Sequence, residues 1–351
     1  MLEKPNLQDN KIITALRDGY GIAVSEVDFL PLGNDSVAWV YRVCAADGTP
    51  YFLKVKKGAV YEPSLVVPRY LKDRGIEQVI APLPTKSGQL WAKVADFTMI
   101  LYPFLEGKMA AHKGMSDRQW VEFGTVLKKI HSTPLSAELL GLLPRESFKP
   151  KWGGLVRERD AFLELQNMVK NSVYNTPYER ELALFWKEQA QEISKIVARA
   201  ETLGRMLQNR SSVGTFSAEW VLCHADIHQF NIMLDENDQI FIVDWDETLL
   251  APKERDLMFV GGGVGGVQDG AKEEALFFKG YGHTEIDWLA LAYYRYEWVV
   301  QDMGDYAERV FLMQDIGEET KKDAVAGFVS FFEPGNVVEV AYRSEKQLGM
   351  R

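Results

Sequence analysis

Cysteine is nearly absent. Cys44 and Cys223 are the two in 351 residues, too few for a disulfide framework. Cys223 ends the apolar run Val221-Leu222-Cys223, where a thiol behaves as a small buried hydrophobe. No run approaches the ~18 apolar residues of a membrane span. The opening residues, Met1-Leu2-Glu3-Lys4-Pro5, lack the basic segment and apolar core of a secretion signal. Positive charge is also in deficit: 40 Lys and Arg stand against 50 Asp and Glu, a net charge of −10. That argues against a nucleic-acid partner, which requires a basic face, and suits a cationic small molecule, though weakly. Internal repeats, low-complexity tracts and a G-x-G-x-x-G loop are all missing. What remains is a reducing, cytoplasmic protein, long enough for two packed units, each with its own core.

The chain changes character once. Residues 9–19 carry Ile12, Ile13 and Leu16 at helical spacing. Strand-like runs follow at 27–32, 37–44, 50–56, 90–94 and 98–104, and Asp47-Gly48 predicts a hairpin from Val37 to Val55. A helix around 64–74 interrupts them, short or kinked because of Pro68. Beyond residue 105 amphipathic helices dominate. Ser116 opens one with a capping box, and Trp120, Phe123, Leu127 and Ile130 share its face. Thr176-Pro177 opens another, with proline at the first helical position. Leu182, Phe185, Ile193, Val197 and Met206 mark one long helix or two in succession. Short strands return at 220–223, 231–234 and 240–245. The expected fold class is α+β and two-lobed, protein-kinase-like: a β-rich N-terminal lobe over residues 1–103 for the nucleotide, and a mainly helical lobe over 104–351 for catalysis and the substrate.

The densest chemistry lies at His224-Ala225-Asp226-Ile227-His228-Gln229-Phe230-Asn231, followed by Val243-Asp244-Trp245-Asp246. An aspartate five residues before an asparagine, with a second aspartate after an apolar strand, is the arrangement phosphoryl transfer needs. Asp226 is the candidate base, which positions a hydroxyl and accepts its proton. Asn231 and Asp244 offer oxygens to magnesium. Each residue alone reads as a turn or cap residue; the order and spacing together point to catalysis. His224 is expected to brace the loop. Lys54, in the apolar part of Tyr51-Phe52-Leu53-Lys54-Val55, is the candidate ligand of the nucleotide phosphates, with Lys56 on the same strand face. Glu62 is the one acid between Lys54 and Asp73, hence the candidate partner of Lys54, although Pro63 biases it away from helical angles. Ser36, in Leu32-Gly33-Asn34-Asp35-Ser36, could cover phosphate, and an ordinary turn explains it equally well. Gly261 to Gly266 lacks the lysine of a phosphate-binding loop and reads as packing or a substrate-side loop.

These motifs resemble the aminoglycoside phosphotransferase family over nearly the whole chain. The likeness is sharpest at Val221 to His228, at Val243 to Val264 (V-D-W-D-E-T-L-L-A-P-K-E-R-D-L-M-F-V-G-G-G-V) and at Tyr293-Tyr294-Arg295-Tyr296-Glu297. The resemblance implies a kinase that uses ATP and Mg2+ and phosphorylates a hydroxyl of spectinomycin or a related aminoglycoside or aminocyclitol. It makes Asp226 the base, Asn231 and Asp244 the metal ligands, Lys54 the nucleotide contact, and Asp256 a brace for the catalytic loop. Two departures stand out. Gln229-Phe230 replaces a small residue and glycine before Asn231, and Lys149 to Gly154 keeps only a P-K-W core. Both bear on the acceptor more than on the chemistry. An amine-bearing acceptor calls for acids, and Asp246, Glu247, Glu297 and Asp302 are the candidates, against a solvated acidic surface.

Three alternatives stay open. The same chemistry could serve a metabolic alcohol of choline, homoserine or sugar type. The H-x-D-x-H pattern of His224, Asp226 and His228, with Asp244 or Asp246, could hold a hydrolytic metal, although that leaves Asn231 and Lys54 without roles. A catalytically dead binding module is disfavoured by the intact base and metal ligands. No phosphorylated activation loop is visible, so constitutive activity is expected, from a protein read as a monomer with a small cationic, hydroxylated substrate, no nucleic acid and no membrane.

Overall fold

The computed structural model describes residues 3–32, 37–152, 159–174, 176–212, 220–261, 270–313 and 316–349. In chain order, helix α1 (Asp9–Tyr20) precedes strands β1 (Val24–Leu30), β2 (Ala38–Ala45) and β3 (Pro50–Lys57). Then come α2 (Pro63–Lys72), β4 (Ala92–Val94), β5 (Phe97–Pro103), β6 (Gly107–Met109), α3 (Ala110–Lys113), α4 (Asp117–His131) and α5 (Ala137–Leu142). Three helices follow: α6 (Arg159–Asn171), α7 (Pro177–Glu188) and α8 (Ala190–Ser212). After β7 (Trp220–Cys223), a 3-10 turn at Gln229–Asn231 leads into β8 (Ile232–Asp235), β9 (Ile240–Ile242) and β10 (Leu249–Pro252). The chain ends with α9 (Glu254–Leu257), α10 (Gly270–Tyr281), α11 (Trp288–Phe311), α12 (Glu318–Ser330) and α13 (Val337–Gly349). Two compact units emerge. The first is Met1–Pro144 with His224–Leu249 and Leu276–Gly282; the second is Arg145–Cys223 with Leu250–Ala275 and His283–Arg351.

The first unit is built on a five-stranded antiparallel sheet of order β1-β2-β3-β5-β4. The predicted hairpin forms because Asp47 caps the Thr49 N–H and Gly48 takes φ +88°, a left-handed angle glycine adopts without strain. Tyr41, Val43, Leu53, Val55 and Leu101 are fully buried in this sheet. Lys54 is flanked by Val40 on β2 and Ile100 on β5, so its stem is held among apolar neighbours. α2 keeps Pro68 inside its ten residues. Glu62 is helical after all, at φ −56° and ψ −39°. Its carbonyl accepts from the Leu65 and Val66 N–H groups, and that gain outweighs the steric bias imposed by Pro63.

A second sheet in this unit is β6-β8-β9, whose strand β8 follows the loop of residues 224–231. Its closeness requires Gly107: a Cβ there would meet the Leu234 carbonyl oxygen at 2.4 Å. β9 ends at Ile242 and bonds to the segment around Gln78 and Ile80. The strand expected to run to 245 therefore stops early, and Asp244 takes φ +62°, an angle no strand residue adopts. α4 opens with the predicted Ser116–Gln119 capping box and buries Trp120, Phe123, Leu127 and Ile130.

The second unit is helical. Thr176 and Glu179 form the capping box of α7. The periodic stretch after it is two helices, broken at Gln189, which caps the end of α7. Met206, expected on the apolar face, is exposed, while Leu203 and Leu207 are buried. α11 is buried over most of its length; it packs on α8, α12 and α13, and Trp186 stacks on Phe328 with centroids 5.1 Å apart. Among the described residues no helix is long and apolar enough to cross a membrane.

Candidate active site

The hairpin of β8 and β9 assembles the site. Ile232 pairs with Ile242, and the Val243 N–H donates to the Asn231 carbonyl at 3.0 Å. Asn231 is thereby set opposite Val243, one residue from Asp244. The loop before Asn231 is held from beneath by His224, which is fully buried. Its Nε2 lies 2.9 Å from the Val243 carbonyl and its Nδ1 accepts the Asp226 N–H at 3.3 Å. That pair of bonds assigns the proton to Nε2. Trp245 packs on the imidazole at 4.6 Å. Both ring nitrogens are committed to backbone, so His224 has no lone pair to offer a hydrolytic metal.

Asp226 has a neighbour at each carboxylate oxygen. The Asn231 Nδ2 donates to Oδ2 at 3.0 Å and to the Asp226 carbonyl at 2.8 Å. His228 Nε2 stands 3.4 Å from Oδ1. With its nitrogen turned to Asp226, the Asn231 amide presents its oxygen elsewhere. Ala225 just before, at φ +71°, and Asp244, at φ +62°, are both strained for L-residues. Such strain persists where surrounding bonds over-determine a site.

Asp244 and Asp246 meet Lys54. The ammonium lies 2.9 Å from Asp244 Oδ1 and 2.8 Å from Asp246 Oδ2, and Lys56 reaches the same Asp246 oxygen at 2.6 Å. Burial works to raise the Asp246 carboxyl, but Lys54 and Lys56 outweigh it and hold it below the ordinary carboxylate range. Asp244 moves the other way: burial raises it, Lys54 counters incompletely, and the Asp246 and Asp226 charges add to the rise. Since 45% of the Asp244 side chain reaches solvent, water moderates that rise. Lys54 thus pairs with Asp244 and Asp246, not with Glu62, whose carboxylate is exposed and makes no ion pair among the described residues. Ser36 and Gly262 to Gly266 lie outside the described residues.

The four acids proposed for an acceptor have different settings. Asp246 is clamped by two lysines. Glu247 is half-buried, and its charge helps raise the Tyr61 phenol, after burial itself. In the second unit Glu297 is 3% exposed; its oxygens take Arg255 Nη1 at 2.6 Å and the Lys151 N–H at 3.1 Å. That carboxylate is an internal structural charge. Asp302 is half-buried on α11, and its charge adds to the burial that raises Tyr306.

The family model for the phosphotransferase enzyme family matches residues 29–294. The chain belongs to this family. The phosphotransferase is similar to spectinomycin phosphotransferase APH(9)-Ia in complex with ADP and spectinomycin: 31% identity, 97% of this chain and 99% of that one covered, TM-score 0.83. An AMP-bound structure of spectinomycin phosphotransferase APH(9)-Ia aligns at 30% identity over 96% and 99% of the two chains, with TM-score 0.78. Protein StrN of Streptomyces griseus is 25% identical over 66% of this chain and 67% of its own length. The fold is therefore that of a kinase, and the chain is a phosphotransferase.

Two residues of the site were not singled out from the motifs. Lys56 was noted only as sharing the strand face of Lys54, and the period-2 geometry of β3 puts it close enough to share Asp246. His228 entered only as a metal ligand, yet it braces Asp226. Its signal was its place two residues after the candidate base.

Proposed function

We propose that this phosphotransferase moves the γ-phosphoryl group of ATP, with magnesium, to a hydroxyl of spectinomycin or a related aminocyclitol. The observation that carries this reading is the Asp226 carboxylate, bonded by Asn231 and approached by His228, beside an asparagine whose amide oxygen is turned away from it. The likeness to a spectinomycin phosphotransferase over 97% of the chain supports the acceptor class.

In this reading Asp226 takes the hydroxyl proton as the oxygen forms its bond to the γ-phosphorus, while the bond to the ADP oxygen breaks and ADP leaves. Asn231 and His228 fix the carboxylate so that one oxygen faces the hydroxyl. The oxygens of Asn231 and Asp244 form the hard donor set that suits magnesium. When bound, magnesium would neutralise charge on the phosphates. Lys54 would turn from its carboxylates to the phosphates. Asp246 would then keep Lys56 as its cation, so no carboxylate in the site is stranded. Residues 1–103 would serve the nucleotide and residues 104–351 the catalysis and the acceptor. Glu247 is the acid assigned to the acceptor's amines.

The test is ADP release from magnesium–ATP by the purified protein, with and without spectinomycin. Stimulation by spectinomycin is the expected result. Nucleotide binding without stimulation would overturn the acceptor and direct the search to choline, homoserine or sugar alcohols. Failure to bind magnesium–ATP would overturn the kinase reading itself.

A further inference from the structure

Phe230 has an environment that the transfer chemistry does not require. Among the described residues it is the one exposed large aromatic side chain, at 39% exposure. A ring of this size normally contributes most by leaving water. This one instead stands in the 3-10 turn between His228 and Asn231. It is not loose there. His112, from α3, meets it edge-to-face at 5.6 Å and 86°, and His228 meets it at 5.8 Å and 84°. α3 lies against the turn, so His112 holds the ring from outside the catalytic loop.

Position follows from these contacts. The Nε2 of the imidazole that touches Phe230 is 3.4 Å from Asp226 Oδ1. The exposed ring is therefore one imidazole away from the carboxylate. A hydroxyl brought to Asp226 carries its skeleton into the neighbouring few ångströms, within reach of this ring. We propose that Phe230, braced by His112, is the wall of an acceptor subsite that binds a saturated, amine-bearing ring through its C–H face and its ammonium charge. Aromatic faces attract cations as well as apolar surface, and a ring already locked in place loses little freedom when the acceptor docks. Phe230 is a specificity residue, and His112 is a positioning residue acting through it. The proposal rests on the assignment of Asp226 as the base, and its test separates the two.

The experiment uses the full chain, the variants Phe230→Gly, Phe230→Tyr and His112→Ala, and two independent titrations. Spectinomycin is titrated calorimetrically without nucleotide; magnesium with a non-hydrolysable ATP analogue is titrated without spectinomycin. Phe230→Gly is expected to weaken spectinomycin binding about tenfold and to raise its KM by a similar factor, while kcat and analogue affinity stay within about twofold. Phe230→Tyr should restore binding, and His112→Ala should give a smaller loss. Equal spectinomycin affinity in the parent and Phe230→Gly would overturn the proposal. So would an equal loss of analogue affinity, which would mark a collapsed loop, and so would no spectinomycin binding by the parent. The kinase reading is judged separately, by analogue binding and ADP release in the parent.

Discussion

Two charge clusters in this chain differ in one respect, access to water, and that difference sorts their roles. In the first unit Lys54, Lys56, Asp244 and Asp246 form a chain of short ion pairs, with side-chain exposures from 10% to 45%. In the second, Arg255 and Glu297 pair at 2.6 Å with exposures of 2% and 4%. A partly open carboxylate can exchange a lysine for another cation, because water covers the intermediate state. A buried one cannot, because either partner alone is an uncompensated charge in a medium that solvates it poorly. The first cluster is suited to ligand exchange and the second to holding a helix end in place. Glu297 illustrates the lesson, since by residue type it was as good a candidate for an amine-bearing acceptor as Asp246 or Glu247.

The comparison can be broken most decisively at the base. Asp226→Ala should lower turnover by about 10²–10⁴-fold or more, while affinity for a magnesium–ATP analogue and the melting temperature change little. Surviving activity would remove Asp226 from its role. The buried pair comes next. Glu297→Ala should destabilise the protein by about 3–5 kcal/mol, the usual effect of breaking a buried pair, seen in denaturant unfolding. A change below about 1 kcal/mol would mean the pair is dispensable. A third variant, Asp244→Ala, should weaken analogue binding in the presence of magnesium about tenfold or more, with a small effect on stability; unchanged affinity would break the open-cluster half of the contrast.

The smallest effect concerns pH. The Asp246 carboxyl is held low in the folded state, so its stabilising contribution is present above the unfolded value of about 4 and is lost as pH falls toward the folded one. Melting temperatures of the parent and Asp246→Asn should differ at neutral pH and converge as pH drops below about 4. Asp244 has the opposite sign: its raised carboxyl disfavours the ionised folded form, so Asp244→Asn should melt no lower than the parent at neutral pH. Identical profiles for the two variants would erase the distinction between these carboxylates.

Much of the architecture was legible because local signals carried it. Asp47-Gly48 predicted the hairpin, and Ser116 and Thr176 predicted helix starts, since turns and caps are settled by a few adjacent residues. Errors arose where distant contacts decide. β9 ends before Asp244 because the backbone turns left-handed there, where the Val243 N–H bonds back to Asn231. Met206 is exposed and Leu207 buried because neighbouring helices choose which side of α8 faces inward. Glu62 is the exception: its helical angles come from local bonds of its carbonyl to Leu65 and Val66, which outweigh the bias from Pro63.

By itself the order of residue types pointed to the proposed chemistry. An aspartate, an asparagine five residues later and an aspartate beyond an apolar strand are recognisable from spacing alone, because one loop and one hairpin bring them together. Tertiary structure alone decided which charges are exchangeable and which are fixed. Lys56 joined the site, Glu62 did not, and Glu297 became internal. Burial and pairing depend on segments far apart in the chain, such as Lys54 with Asp244 and Asp246, and no pattern in adjacent residues encodes the solvent that a side chain will finally meet.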